Sequence, residues 1–135
     1  MSDQGDELVK VLQNLTNDLL WISEIDSPFK VFQWENQSAK LTDQQILERT
    51  HHSMDTALET VSFDEFFAAA TQDQDWFGTE EKAVATKYRL LVDLLKQHLS
   101  DLKVYRVGEI RINLYVVGQM QTGEVIGLVT QAVET

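Results

Sequence analysis

The clearest candidate for surface chemistry in this 135-residue sequence is a short run of carboxylates beside aromatic side chains. Residues 73–78 read Asp-Gln-Asp-Trp-Phe-Gly, with Asp75 next to Trp76 and Phe77. A loop that is only solvated does not need aromatic side chains, whereas an aromatic anchor beside a carboxylate is typical of a protein–protein hot spot. Alternatively, Trp76 or Phe77 folds inward as a hydrophobic staple for the helix that follows. The sequence leaves both interpretations open.

This run lies within a longer acidic segment. Residues 50–81 contain eight acids and no Lys or Arg, while bases cluster in residues 82–96 and at Lys103, Arg106 and Arg111. Acidic stretches often serve only to solvate a surface. In the functional interpretation, this face docks onto a basic protein, and its charge speeds the encounter and sets the orientation.

The last two residues, Glu134 and Thr135, follow directly after a predicted strand. A rigid sheet would hold their carboxylate and hydroxyl oxygens in place, and hard oxygens are the ligands that Mg²⁺ prefers. The alternative is an inert end. The histidines are weaker candidates for a metal site, because adjacent His51 and His52 would point about 100° apart on a helix and could not readily share a metal. His98 is expected at a helix end, where a cation is favourable.

Composition excludes several functions. With 22 acids and 11 bases the net charge is −11. The negative electrostatic field of the protein therefore opposes binding to nucleic acid or to an anionic membrane. The chain has no cysteine, which excludes disulfides and thiolate chemistry. We find no phosphate-binding glycine loop and no nucleophile elbow. With neither a signal peptide nor an apolar stretch of about 20 residues, we expect a soluble cytoplasmic protein without a cofactor.

Apolar spacing predicts the elements that must position these groups. Spacings of three and four predict a helix over residues 8–19, and residues 23–28 are predicted to form a loop ending at Pro28. Thr42 and Gln45 form a capping box for a helix from Asp43 to about residue 50. Ser62 is the expected N-cap of a helix over residues 63–70. Thr79 is the expected cap of the longest helix, whose predicted buried stripe is Val84, Tyr88, Leu91, Leu95 and Leu99.

Alternating apolar positions predict the strands. They cover residues 29–34, 56–61, 102–107, 110–117 and 125–133, with a turn at residues 118–123. Short connections among the last three predict an antiparallel meander. Helices that precede a meander indicate the α+β class, with helices packed against a largely antiparallel sheet.

The order of motifs resembles the nuclease A inhibitor family. Residues 23–29 match its S-E-x-D-x-P-F segment, and Phe32 and Trp34 follow as in the family. Further matching segments are residues 104–108, 115–118, 127–130 and 133–135. The resemblance covers nearly the whole chain and implies one α-β-α sandwich domain over residues 1–135.

The resemblance also implies a function and a site. Such proteins inhibit a sugar-nonspecific, Mg²⁺-dependent DNA/RNA nuclease by plugging its active site, here in a 1:1 complex formed by a protein that is monomeric when free. Carried onto this sequence, Glu24, Asp75 and Trp76 contact the nuclease, and Thr135 approaches its Mg²⁺. Glu134 completes the predicted partner-binding set. The protein would hold no metal of its own and would not be an enzyme.

A second hypothesis is a small acidic secretion-type chaperone that acts as a dimer. It is distinguished from an inhibitor by its oligomeric state and by the absence of nuclease binding. An enzyme is a third hypothesis, supported only by the abundance of carboxylates.

Overall fold

The computed structural model describes residues 3–34 and 42–135. The helices are α1 (Asp3–Thr16), α2 (Asp43–Arg49), α3 (Phe63–Phe67) and α4 (Thr79–His98). The strands are β1 (Leu20–Ile22), β2 (Asp26–Pro28), β3 (Lys30–Trp34), β4 (Leu58–Ser62), β5 (Ser100–Val107), β6 (Arg111–Gln119) and β7 (Val125–Val133).

The main sheet has five antiparallel strands in the order β3-β7-β6-β5-β4. Strands β5, β6 and β7 form the predicted meander, and Val116 in β6 lies opposite Val104 on one side and Leu128 on the other. A separate hairpin of β1 and β2 lies beside this sheet. The predicted α+β class is confirmed.

Helices cover both faces of the main sheet. On one face, Val104, Val116 and Leu128 pack with residues of α1 and α4, which include Leu12 and Leu91. Side chains alternate along a strand, so Tyr105 and Val117 point to the opposite face, where they pack with Ile46 and Leu47 of α2. This three-layer arrangement is the sandwich that the family resemblance implies.

Local capping agrees with the sequence at two of three helices. The Thr42–Gln45 capping box forms at the start of α2, and Ser62 accepts a hydrogen bond from the Glu65 N–H at the start of α3. The prediction of Thr79 as the cap of α4 was wrong by one residue. Gly78 is the N-cap, and its N–H donates to a carboxylate oxygen of Glu81 at 3.0 Å.

Three further predictions are corrected. Residues 23–28 are not simply a loop, because residues 26–28 pair with residues 20–22 in the hairpin. Leu19 is buried as expected, but it lies beyond the end of α1. Val84 is 42% exposed, and the buried residue at the start of the α4 stripe is its neighbour Ala85.

No helix of the described part of the chain combines the length and the apolar character needed to cross a membrane.

Candidate partner-binding site

Aromatic packing holds the β1–β2 hairpin against α3 and α4. The ring of Trp21 in β1 stacks on Phe66, with centroids 4.3 Å apart and planes at 8°, and meets Phe29 and Tyr88 edge-on. The Tyr88 hydroxyl donates to the Leu20 carbonyl at 2.7 Å. Burial raises the pKa of Tyr88 well above its usual value, so the phenol stays protonated and keeps this donor. The hairpin is therefore fixed to the core.

Two serines attach the hairpin to β7. Ser27 Oγ accepts from the Gln131 N–H at 3.3 Å, and Ser23 Oγ accepts from the Val133 N–H at 3.1 Å. These N–H groups lie two residues apart and so face the same side of β7. The serine hydroxyls therefore replace the backbone partners that a neighbouring strand would supply, and they fix the hairpin turn beside the end of β7.

This attachment brings together Glu24 and Thr135, two of the residues predicted from the sequence. Although 111 positions apart, they share two hydrogen bonds: the Thr135 hydroxyl donates to Glu24 Oε1 at 2.6 Å, and the Thr135 N–H donates to Oε2 at 3.0 Å. Both residues are exposed. A hydroxyl that donates one hydrogen bond keeps two lone pairs. The Thr135 oxygen can still accept a hydrogen bond or approach a cation.

The predicted contact residue Glu134 is engaged within the protein. Its carboxylate oxygen Oε1 lies 2.7 Å from Nη2 of Arg106 on β5, and its N–H donates to the Ile110 carbonyl. The Arg106 hydrogen bond and charge lower the pKa of the Glu134 carboxyl, and the same pairing raises the pKa of Arg106. Arg106 was missed as a site residue. The sequence feature that could have identified Arg106 is a base between two apolar strand residues in an acid-rich chain.

These groups line an open depression of about 650 Å³, which we call the hairpin–tail depression. Its polar lining comes from Ser23, Glu24, Arg106, Glu134 and Thr135, and its apolar lining includes Trp21 and Ile22. The structure thus places three of the five predicted contact residues in one concave surface.

The acidic aromatic loop contributes to a neighbouring surface. Trp76 is 74% exposed, whereas Phe77 is half-buried and meets the Trp76 ring edge-on at 4.7 Å. Phe77, not Trp76, therefore turns inward. Arg89 of α4 donates to the Thr71 carbonyl at 2.8 Å and approaches the Asp73 carboxylate at 3.3 Å, which fastens the loop to the helix.

Trp76 lines an apolar depression of about 490 Å³ between the hairpin and α4, which we call the hairpin–helix groove. Trp21 and Ile22 line both this groove and the hairpin–tail depression, so the two surfaces adjoin. Asp75 is exposed but is not among the lining residues of either depression. The structure does not bring Asp75 together with Glu24 and Thr135.

The acidic segment is partly neutralised by the fold. Asp64 pairs with Lys96 at 2.6 Å and Asp73 with Arg89 at 3.3 Å, both bases coming from α4. Glu59 lies opposite Arg106 in the β4–β5 register. The surface formed by residues 50–81 therefore carries less net negative charge than the sequence of this segment indicates.

Among the described residues, neither His52 nor His98 is placed as a metal ligand. His52 Nδ1 lies 2.8 Å from the Thr50 hydroxyl, and its Nε2 lies 3.1 Å from the Asn113 amide nitrogen, so the ring bridges the end of α2 and the sheet. His98 is exposed in the last turn of α4. Within residues 3–34 and 42–135, no three His, Cys, Asp or Glu side chains are grouped so that they could hold a metal ion.

Residues 6–135 match the model of a family described as nuclease A inhibitor-like protein. Comparison with curated proteins gives no significant match.

Proposed function

We propose that this chain, which belongs to the nuclease A inhibitor-like family, inhibits a sugar-nonspecific, Mg²⁺-dependent nuclease by covering its active-site groove. Membership of the family indicates a nuclease inhibitor rather than an enzyme. The complex is 1:1, and the free protein is a monomer that does not bind nucleic acid.

The observation that carries the proposal is the Glu24–Thr135 contact at the rim of the hairpin–tail depression. A nuclease that ignores sequence must hold phosphates through a basic groove. The Glu24 carboxylate can pair with a Lys or Arg of that groove. The Thr135 oxygen then lies where a phosphate oxygen or a metal-bound water would be. Because the two residues are already hydrogen-bonded, little side-chain freedom is lost on binding.

Trp76 acts as the aromatic anchor of the interface. Its exposed ring is the kind of side chain that becomes a hot spot when buried. Asp75 lies beside it and assists by steering toward a basic partner. Rim charges contribute about 0–1 kcal/mol each, so most other acids of the chain are not assigned as contacts.

The decisive experiment titrates the protein against such a nuclease and follows digestion of DNA and RNA in the presence of Mg²⁺. Digestion should stop near a 1:1 ratio. Glu24→Gln should weaken inhibition by about 30-fold or more, because truncating one partner of a buried charge pair costs about 2–5 kcal/mol.

The matched control is Glu48→Gln, an exposed carboxylate on α2 across the sheet from the hairpin, which should change inhibition by about fivefold at most. Undiminished digestion at excess protein would refute the function. A stable dimer without nuclease binding would instead favour a secretion-type chaperone. Equal losses from Glu24→Gln and Glu48→Gln would place the interface elsewhere.

A further inference from the structure

Several exposed apolar side chains surround the hairpin–helix groove. Ile22 from β1 is 73% exposed at one side, and Trp76 and Val84 are exposed at the other. Isolated exposed apolar side chains are ordinary, but several around one concavity indicate an interaction surface.

The groove stays open because small and fixed residues line it. Ala69, Ala70 and Ala85 contribute only methyl groups, and the hydrogen bond from Tyr88 to the Leu20 carbonyl holds the hairpin in place. Filling the space from within the aromatic cluster would move Trp21 or Tyr88 out of the contacts that fix them. A bulky apolar side chain from outside could fill it without such a change.

Charge restricts what that occupant can be. Glu80 and Glu81 of α4 lie along the groove, and among the described residues that line it there is no Lys or Arg. An acidic or uncharged peptide would gain nothing from these carboxylates, whereas a Lys or Arg beside the apolar side chain would be attracted to them.

We infer that the hairpin–helix groove is a second docking subsite for the nuclease, which receives one bulky apolar side chain flanked by a Lys or Arg. This inference rests on the proposed function. It adds Ile22 and Val84 to the contact residues, and it follows from the continuity of the two depressions. A protein that covers Glu24 and Thr135 meets Ile22 next, since Ile22 lines both surfaces.

The test uses two matched pairs of variants in the full chain. Val84→Gln and Leu90→Gln both replace an exposed apolar residue of α4, 42% and 54% exposed, but only Val84 lines the groove. Ile22→Thr and Met54→Thr likewise replace exposed apolar residues, 73% and 56% exposed, of which only Ile22 lines it. Affinity for the Mg²⁺-dependent nuclease is measured by calorimetry, and thermal unfolding verifies that each variant folds.

The groove variants should bind about fivefold or more weakly, the usual threshold for an interface residue of energetic importance, while both controls stay within about twofold. If wild type binds and Val84→Gln binds as well as Leu90→Gln, the groove inference is wrong and the proposed function stands, whatever Ile22→Thr does, because Ile22 also lines the hairpin–tail depression. If wild type does not bind, both fail. If Val84→Gln instead abolishes self-association and leaves nuclease affinity unchanged, the occupant is a second copy of this chain and the inference is overturned.

Discussion

The ion pair between Arg106 and Glu134 should influence inhibition by orienting Thr135. Glu134 adjoins Thr135, so whatever orients Glu134 also orients the Thr135 hydroxyl. Arg106→Met keeps most of the side-chain stem and removes every donor, and Glu134→Gln removes the charge at the other end. The variant with both substitutions completes a double-mutant cycle, which measures the energy of interaction between the two side chains.

The geometry sets the expected magnitude. Arg106 Nη2 lies 2.7 Å from Glu134 Oε1, with side chains that are 25% and 50% exposed. Exposed pairs are worth about 0.2–1 kcal/mol, and hydrogen bonds to charged groups in drier surroundings about 1.5–3 kcal/mol. We therefore expect a coupling near 1 kcal/mol in the free energy of unfolding, which corresponds to about a fivefold change in an equilibrium constant.

The assay is a double-variant cycle read in two ways. Urea unfolding should give the coupling of about 1 kcal/mol. In nuclease inhibition, the two single variants and the double variant should all weaken by the same factor, about fivefold, because each breaks the same contact. Losses that add in the double variant would mean that Glu134 touches the nuclease itself. Unchanged inhibition in all three variants would refute the positioning argument.

Two more predictions concern stability. Ser27→Ala should lower the free energy of unfolding by about 1–3 kcal/mol in urea denaturation, because Ser27 is buried and the Gln131 N–H loses its acceptor; an unchanged value would mean that the N–H finds another partner. The Glu134 carboxyl has a lowered pKa in the folded state. Its contribution to the free energy of unfolding is therefore present above its unfolded pKa and is lost as pH falls through the folded pKa. The stability difference between wild type and Glu134→Gln should accordingly shrink as the pH falls from neutral through the folded pKa, by less than about 1 kcal/mol because the pair is half-exposed; a difference that grows on acidification would contradict this sign.

The features predicted best from the sequence depend on near neighbours. Thr42 and Gln45 lie within one turn of each other, so their capping box is a local property of the chain. The ends of β7 were predicted at residues 125 and 133 as observed, because a strand buried at most positions keeps its pattern throughout its length.

The features that were missed depend on distant parts of the chain. The short strands of the hairpin are only three residues each, and Ser23 and Ser27 are stabilised there by N–H groups more than 100 positions away. The error at Val84 concerns only the start of a helix stripe. A spacing of four favours Val84 as a core residue, but the buried stripe of α4 begins at the smaller Ala85, three residues before Tyr88.

For the candidate site, the residue types were recognisable and their grouping was not. The acidic aromatic loop and the Glu134–Thr135 end stood out in composition, and the resemblance added Glu24. The pairing of Glu24 with Thr135, the separation of Asp75 from them and the role of Arg106 all follow from strand register and hairpin placement.

The serine attachment of the hairpin also bears on aggregation. In β7, residues 125–129 pair with β3, whereas residues 130–133 extend past it and would otherwise present bare N–H and C=O groups on that side. A bare strand edge is a template for pairing with another chain. Ser23 and Ser27 occupy the N–H groups of Val133 and Gln131. The hairpin that carries Glu24 to Thr135 therefore also keeps this stretch of β7 from pairing edge to edge with a second copy of the sheet.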